Sequence, residues 1–231
     1  MLLLSGIVKN LDILYEDNLV IVINKPAGLA VQGGKGVKSS LDKILGEMRA
    51  PPPLLVHRLD KDTSGIILTA KTKEAAARFS RLLGTDRQSV KQYIAVCSGC
   101  PVKKEDVIIL EIPVHGSLKS SKTSYRVINS QKLSDTDFSV LELELGTGRM
   151  HQIRRHLAMI GNPVLGDDKY GDFKLNKKLR KTGVKRLLLH SSRLIIKDKI
   201  NLNLIAPLPD YFQPFLDIKN NTGDNVVVSV D

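Results

Sequence analysis

The segment His57-Arg58-Leu59-Asp60-Lys61-Asp62-Thr63-Ser64-Gly65 runs directly into the apolar stretch Ile66-Ile67-Leu68. Two carboxylates, two hydroxyls and a glycine thus precede a run that reads as a buried strand. This order sets a charged loop at the rim of a rigid sheet. On an extended segment Arg58 and Asp60 point to the same side. An arginine near a carboxylate favours the charged form, which can attack or abstract a proton. Asp60 is therefore the candidate nucleophile or general base. Asp62, ahead of Thr63-Ser64-Gly65, reads as a turn former whose oxygens bond nearby backbone N–H groups. Alone, the loop serves equally well as a capped turn with a surface ion pair.

A second polar cluster lies downstream, Gly148-Arg149-Met150-His151-Gln152-Ile153-Arg154-Arg155-His156. Its periodicity predicts a helix with Ile153, Leu157 and Ile160 on one side, stopped by Gly161-Asn162-Pro163. Cations at a helix start oppose the dipole, so Arg149, Arg154 and Arg155 read as an anion site. His151 and His156 are five apart and fall on different helix faces, which argues against a zinc pair. His151 is the better candidate for hydrogen bonding or RNA contact. His190, after Leu187-Leu188-Leu189, reads as a satisfied core histidine. Tyr93, in a strand over Lys91–Val96, either packs or offers a face for an extruded base.

At 231 residues the chain can form one large domain or two small ones. Only 4% of residues are aromatic and Trp is absent, so the core must be aliphatic. The net charge of +11 favours anionic partners, above all nucleic acid. From Lys169 to Lys199 eleven lysines and arginines face only Asp172 and Asp198, a local net of +9. Cys97 and Cys100 supply half a zinc site with no second half, and read as reduced thiols in a turn. No metal and no cofactor site is expected. Met1-Leu2-Leu3-Leu4 is too short for a leader, and no run approaches the ~20 apolar residues of a membrane span. The expectation is a soluble, cytoplasmic monomer.

Elsewhere, strands are predicted at Leu19–Ile23, Gly65–Thr69, Val107–Ile112, Thr123–Ile128, Phe138–Leu145, Leu187–Ile196 and Asn201–Ile205. Helices are predicted at Leu41–Met48, capped by Ser40, from Thr72 to Gly84, and around Tyr211–Leu216. These elements make one α+β domain over residues 1–217, with a mixed, mostly antiparallel sheet and a polar, frayed tail over 218–231.

Several segments, in order, resemble the RluA-type pseudouridine synthases: Asn24-Lys25-Pro26-Ala27-Gly28, His57 through Gly65, Lys91 through Val96, Gly148 through Arg154, Gly161-Asn162-Pro163 with Gly166-Asp167, and Leu187 through His190. The stretch Asp167–Phe173 is most similar to the large-subunit rRNA synthase C branch. The resemblance implies a pseudouridine synthase catalytic fold, with a central sheet and a cleft flanked by helices. It implies conversion of uridine to pseudouridine in RNA, rRNA first and tRNA as the alternative. Asp60 takes the catalytic position, Arg149 the arginine paired with it, and Tyr93 the aromatic that stacks on the base. Arg58 is the arginine that helps extrude the uridine, and Leu189 lines the uracil pocket. Lys25, His57, His151, Arg154 and Arg155 join them as RNA-contacting residues. Members of the rRNA branches usually carry an N-terminal S4 domain, whereas this chain starts almost at the catalytic domain. Met150 stands where a small hydroxyl residue is common. The competing readings are a non-catalytic RNA-binding assembly protein and a metal-dependent nuclease using Asp60, Asp62, Asp167 and Asp168.

Overall fold

A computed structural model describes residues 11–216 apart from 85–87, 115, 134–135, 182 and 199–200. The expected tail, Lys199 and the apolar start at Met1 lie outside the described residues. In chain order the elements are β1 (Asp12–Glu16), β2 (Val20–Lys25), α1 (Leu41–Met48), β3 (Leu54–Leu55), β4 (Ser64–Ala70), α2 (Lys73–Leu83), β5 (Ser89–Ser98), β6 (Glu105–Val114), β7 (Ser117–Leu133), β8 (Thr136–Leu145), α3 (Gln152–Met159), α4 (Phe173–Lys181), β9 (Leu189–Ile196), β10 (Leu202–Ile205), a 3-10 turn (Asp210–Phe212) and α5 (Gln213–Leu216).

The strands form one sheet in the order β1-β2-β4-β9-β5-β8-β7-β6, with β3 added to β4 and β10 to β9. Every ladder is antiparallel except β4–β9. That one joins the two halves through only Ser64↔His190 and Gly65↔Ser191. Beyond these pairs β4 and β9 diverge. β3 takes over the free edge of β4 at Thr69 and Ala70, and β10 the free edge of β9 from Arg193 to Ile196. The split explains why Gly65 must be glycine. Its φ is +105°, and a Cβ there would lie 2.1 Å from the Ser191 carbonyl oxygen.

The aliphatic composition builds two apolar layers. α2 packs Ala75, Phe79, Leu82 and Leu83 onto Ile66, Leu68, Leu194 and Leu204. The opposite face gathers Ile21, Ile67, Leu141, Leu157, Leu189, Phe212 and Phe215. α2 starts where the sequence predicts, with Thr72 Oγ1 accepting from the Ala75 N–H at 3.1 Å. Ser40 also sits at its predicted N-cap position, but makes no cap bond and its hydroxyl donates to the Asp42 carboxylate instead. The cysteines do not share a turn: Cys97 is buried inside β5 and Cys100 is exposed beyond it.

β1 and α4 go unpredicted from the sequence, and β7 exceeds its predicted span. β7 runs 17 residues and pairs with β6 as a long hairpin, because its polar serines and lysines alternate across a sheet face that is largely solvated. The basic block folds over Phe173–Lys181 into α4, which buries only Asn176 and Leu179 and leaves Lys174, Lys177, Arg180 and Lys181 exposed. Asp172 Oδ1 accepts from the Lys174 and Leu175 N–H groups and starts that helix. No described helix is long and apolar enough to cross a membrane.

Candidate active site

The site forms where β4 and β9 meet. The His57–Thr63 loop enters β4, Leu189 opens β9, Tyr93 lies on β5 opposite Ser191, and α3 closes the far side. A cavity of about 160 Å³ lies between them, lined by Arg58, Leu59, Asp60, Tyr93, Arg149, Ile153, Arg154 and Leu189 among others. Burial pushes the Tyr93 hydroxyl up to about 12, against the hydrogen bond from Ser191 that lowers it. A second cavity of about 570 Å³ shares Asp60, His151 and Arg154 with the first. Lys61, Lys169, Lys185 and Arg186 line it. Asp60 thus stands on the wall between a base-sized pocket and a larger one in which Asp62, Asp167 and Asp168 accompany the cations.

The loop owes its shape to main-chain bonds more than to Asp62. The Thr63 N–H donates to the Asp60 carbonyl at 3.2 Å, closing a turn around Lys61-Asp62. The Gly28 N–H donates to the Lys61 carbonyl at 2.9 Å. Lys25 secures the same turn from beneath. Its side chain is fully buried, and Nζ donates to the carbonyls of Pro26, Leu29 and Lys61 at 2.9–3.0 Å. Lys25 was expected to contact RNA, but a buried ammonium committed to three carbonyls is a clamp on the Asp60 loop. Burial lowers its pKa to about 7, while the charges of Asp62 and Asp60 pull the other way. His57 is reassigned for a similar reason. Its Nε2 accepts the Leu68 N–H at 2.9 Å, extending the β3 edge ladder by one bond. Burial, then the charge of Lys91, bring its pKa down to about 4.

The arginine against Asp60 is Arg154 and not Arg149. Arg154 Nη1 lies 3.4 Å from Asp60 Oδ2, while Nε and Nη2 grip Asp167 at 2.7 and 2.8 Å. The reason is helical geometry. Arg154 sits within α3 on the face carrying Ile153 and Leu157, and its side chain is 8% exposed. Arg149 precedes the helix in the Gly148–His151 turn. Burial opposes the Arg154 charge, but the Asp167 bonds and the Asp167 and Asp60 charges hold its pKa above the ordinary value. Asp167 in turn is held below the carboxylate range. Burial works against this, but Arg154 and the N–H groups of Tyr170 and Lys169 prevail.

Gln152 shapes the turn before α3. Its Oε1 accepts from Thr147 Oγ1 and the Arg149 N–H, and its Nε2 donates to the Lys122 carbonyl and Thr123 Oγ1. With its amide fully used, Gln152 pins the turn to β7. His151, at φ 53°, occupies the left-handed region, a strain of roughly 1–2 kcal/mol for a residue with a side chain. Its Nε2 lies 3.7 Å from Asp60 Oδ1 and its Nδ1 3.0 Å from the Tyr170 hydroxyl.

Arg58, Tyr93, Arg149, His151, Arg154 and Leu189 therefore meet Asp60 at the first cavity. Arg155 lines neither cavity. His190 is a satisfied core histidine as expected, with Nδ1 2.9 Å from Ser64 Oγ and Nε2 3.4 Å from the Ala206 carbonyl. Two buried polar atoms without a partner, Thr63 Oγ1 and Arg149 Nε, belong to residues lining the pocket. Tyr170, Gln152 and Thr63 had no assigned role from sequence, and Asp167 had one only in the nuclease reading. Only Asp167 gave a signal, as part of the Gly166-Asp167 pair. The four carboxylates of the nuclease reading all line the second cavity, but Arg154 occupies Asp167 and Arg180 pairs with Asp168 at 2.6 Å. Among the described residues no cluster of three or more His, Cys, Asp or Glu is arranged to hold a metal ion.

The family described as RNA pseudouridylate synthase matches residues 19–159. A ribosomal large subunit pseudouridine synthase C from Rickettsia felis is 36% identical over 217 residues, covering 87% of this chain and 68% of the relative. Its namesake from Haemophilus influenzae is 37% identical over 191 residues, covering 78% and 59%. Among solved structures, human RNA pseudouridylate synthase domain containing 4 superposes with a TM-score of 0.75 at 29% identity, covering 92% of this chain and 95% of its own. The family match takes in Lys25, Asp60, Tyr93, Arg149 and Arg154, so the chain that builds this pocket belongs to the RNA pseudouridylate synthase family.

Proposed function

We propose that this enzyme isomerises uridine to pseudouridine in RNA, with large-subunit ribosomal RNA as its substrate. The observation that carries the reading is Asp60, held by Arg154 on the wall of a base-sized pocket formed by Tyr93 and Leu189. A uridine inside a duplex or stack cannot reach such a group, so the base must be extruded into the pocket. Tyr93 and Leu189 then offer apolar faces to the ring. Thr63 Oγ1 is free to meet a polar edge of the base. Arg58 and Arg149 line the same pocket and supply cations for the backbone of the extruded nucleotide.

The reaction breaks the N1–C1′ bond and forms C5–C1′. The C5 hydrogen leaves and N1 gains a proton, with no change in oxidation state. Asp60 serves either by attacking the nucleoside or by removing the C2′ proton. Lys185 and Arg186 of the second cavity and the exposed cations of α4 supply phosphate contacts. The relatives named for ribosomal large subunit RNA support that substrate over tRNA. The reading carries with it a cytoplasmic enzyme acting as a monomer.

The test is tritium release from RNA labelled at uridine C5, run on rRNA and tRNA transcripts in EDTA. Release from rRNA that disappears in Asp60→Asn, with RNA binding retained, is the expected result. Release only from tRNA moves the substrate. Tight binding with no release by the wild type favours an RNA-binding protein over an enzyme, and undiminished release by Asp60→Asn removes Asp60 from the chemistry.

A further inference from the structure

Among the described residues, His151 alone combines a side chain with a left-handed backbone. A strained residue persists only where its surroundings fix it, and here the turn aims the imidazole between Asp60 and Tyr170. The His151 and Tyr170 rings meet edge to face, with centroids 5.5 Å apart. The guanidinium of Arg154 lies over the Tyr170 ring at 5.3 Å. Tyr170 itself is held by its N–H bond to Asp167, the carboxylate that grips Arg154. The four side chains form a closed circuit around one catalytic group.

The donor directions in that circuit follow from elementary chemistry. Burial brings the imidazole pKa below its ordinary value, and Arg154 and Lys169 add to the shift while Asp60 and Asp167 oppose it. The shift favours the neutral ring, which carries one N–H. The Asp60 carboxylate can only accept. A neutral ring that holds it must place its proton on Nε2, which leaves Nδ1 as an acceptor. The group facing Nδ1 is the Tyr170 hydroxyl, which can donate.

We propose that Tyr170 locks His151 in the Nε2–H tautomer, so that His151 holds Asp60 Oδ1 while Arg154 holds Oδ2. This inference rests on the proposed reaction only for its kinetic consequence. His151 and Tyr170 are positioning residues. Arg154 alone, touching one oxygen, leaves the carboxylate free to turn about its last torsion, and a second donor on the other oxygen fixes its plane. A neutral donor does so without adding a second positive charge to a group that must act as nucleophile or base. At 3.7 Å the His151 contact is roughly 0.8 Å longer than a formed bond, a gap that catalytic sites close when substrate binds.

The direct test is side-chain ¹⁵N–¹H NMR of His151, which needs no turnover. The wild type should show Nε2–H, and Tyr170→Phe should populate the Nδ1–H tautomer. An Nδ1–H ring in the wild type, or a ring unmoved by Tyr170→Phe, overturns the proposal. Kinetics supply the second arm through His151→Gln, whose amide nitrogen donates to Asp60 without a tautomer to choose. Tyr170→Phe should lower kcat roughly ten- to a hundredfold at unchanged KM in the wild-type background and have no further effect beside His151→Gln. Equal losses in both backgrounds would mean that Tyr170 merely packs on Arg154, and would refute the lock. An Nε2–H ring in a protein that releases no tritium from any RNA supports the tautomer and counts against the reaction.

Discussion

Residue by residue, the site separates groups that act on RNA from groups that hold those groups in place. Arg154→Ala strips a buried carboxylate, Asp167, of its bidentate partner and should cost about 3–5 kcal/mol of stability as well as activity, which thermal melts and tritium release would show together. Arg149→Ala should keep the melting temperature and lose activity through weaker RNA binding, because its guanidinium Nε has no protein partner to abandon. Lys25→Met removes the donor that three carbonyls share and should destabilise by about 2 kcal/mol or more. Lys25 also carries a pH signature. Its folded pKa of about 7 lies below the ordinary lysine value of 10.5, so the unfolded chain binds more protons between those values. Wild-type stability should therefore gain from this group as pH rises from about 7 towards 10, and melts of Lys25→Met should lack that gain. The residue types at the site were legible in the sequence, since Asp60, Tyr93 and Leu189 carry chemistry or apolar surface at motif positions. Their partners were less so. Arg149 and Arg154 lie five apart in one motif, and only the placement of the α3 start between them decides which reaches Asp60. Lys25 and His57 look like surface polar groups in sequence, because nothing local announces that the Pro26–Leu29 turn or the end of β3 needs a donor or an acceptor from a side chain.

Among the elements, the β4–β9 junction governs the site. Both strands open onto the pocket, and their shared ladder is two residue pairs long. Gly65→Ala puts a methyl group into the Ser191 backbone at a φ of +105° and should separate Asp60 from Tyr93 and Leu189. A marked fall in melting temperature with loss of activity is the expected outcome, and an active Gly65→Ala enzyme would show that the junction tolerates widening. Most of these elements follow from periodicity: α1 and α2 match their expected spans, and β4 was recognisable as an apolar run after a polar loop. β7 and α4 were less legible for a common reason. Each is dominated by lysine and serine, so the few residues that bury, such as Leu179 in α4 or Thr123 in β7, give too faint a period against the solvated positions. The parallel β4–β9 pairing was also invisible, because strand order is a long-range property that no local window contains.

At the scale of the whole molecule, charge and chain order are the controlling features. A net charge of +11 with an exposed basic α4 predicts RNA affinity that falls steeply with salt, by roughly 0.7–0.9 in log K per log unit of salt for each phosphate contacted. Replacing Lys185 and Arg186 with alanine should flatten that dependence with little effect on the rate of bound substrate, as single-turnover kinetics would show. Chain order has a consequence for the birth of the enzyme. β9 sits between β4 and β5 in the sheet, yet it is made after all other strands except β10. Leu189, Ser191 and the partner edge of Gly65 are thus missing from the nascent chain until every other strand except β10 has been made. While the emerging chain, already basic, hangs beside the ribosome's own RNA, its pocket lacks a wall. The pocket gains that wall only when β9 is made, so nascent chains halted before Leu189 should release no tritium.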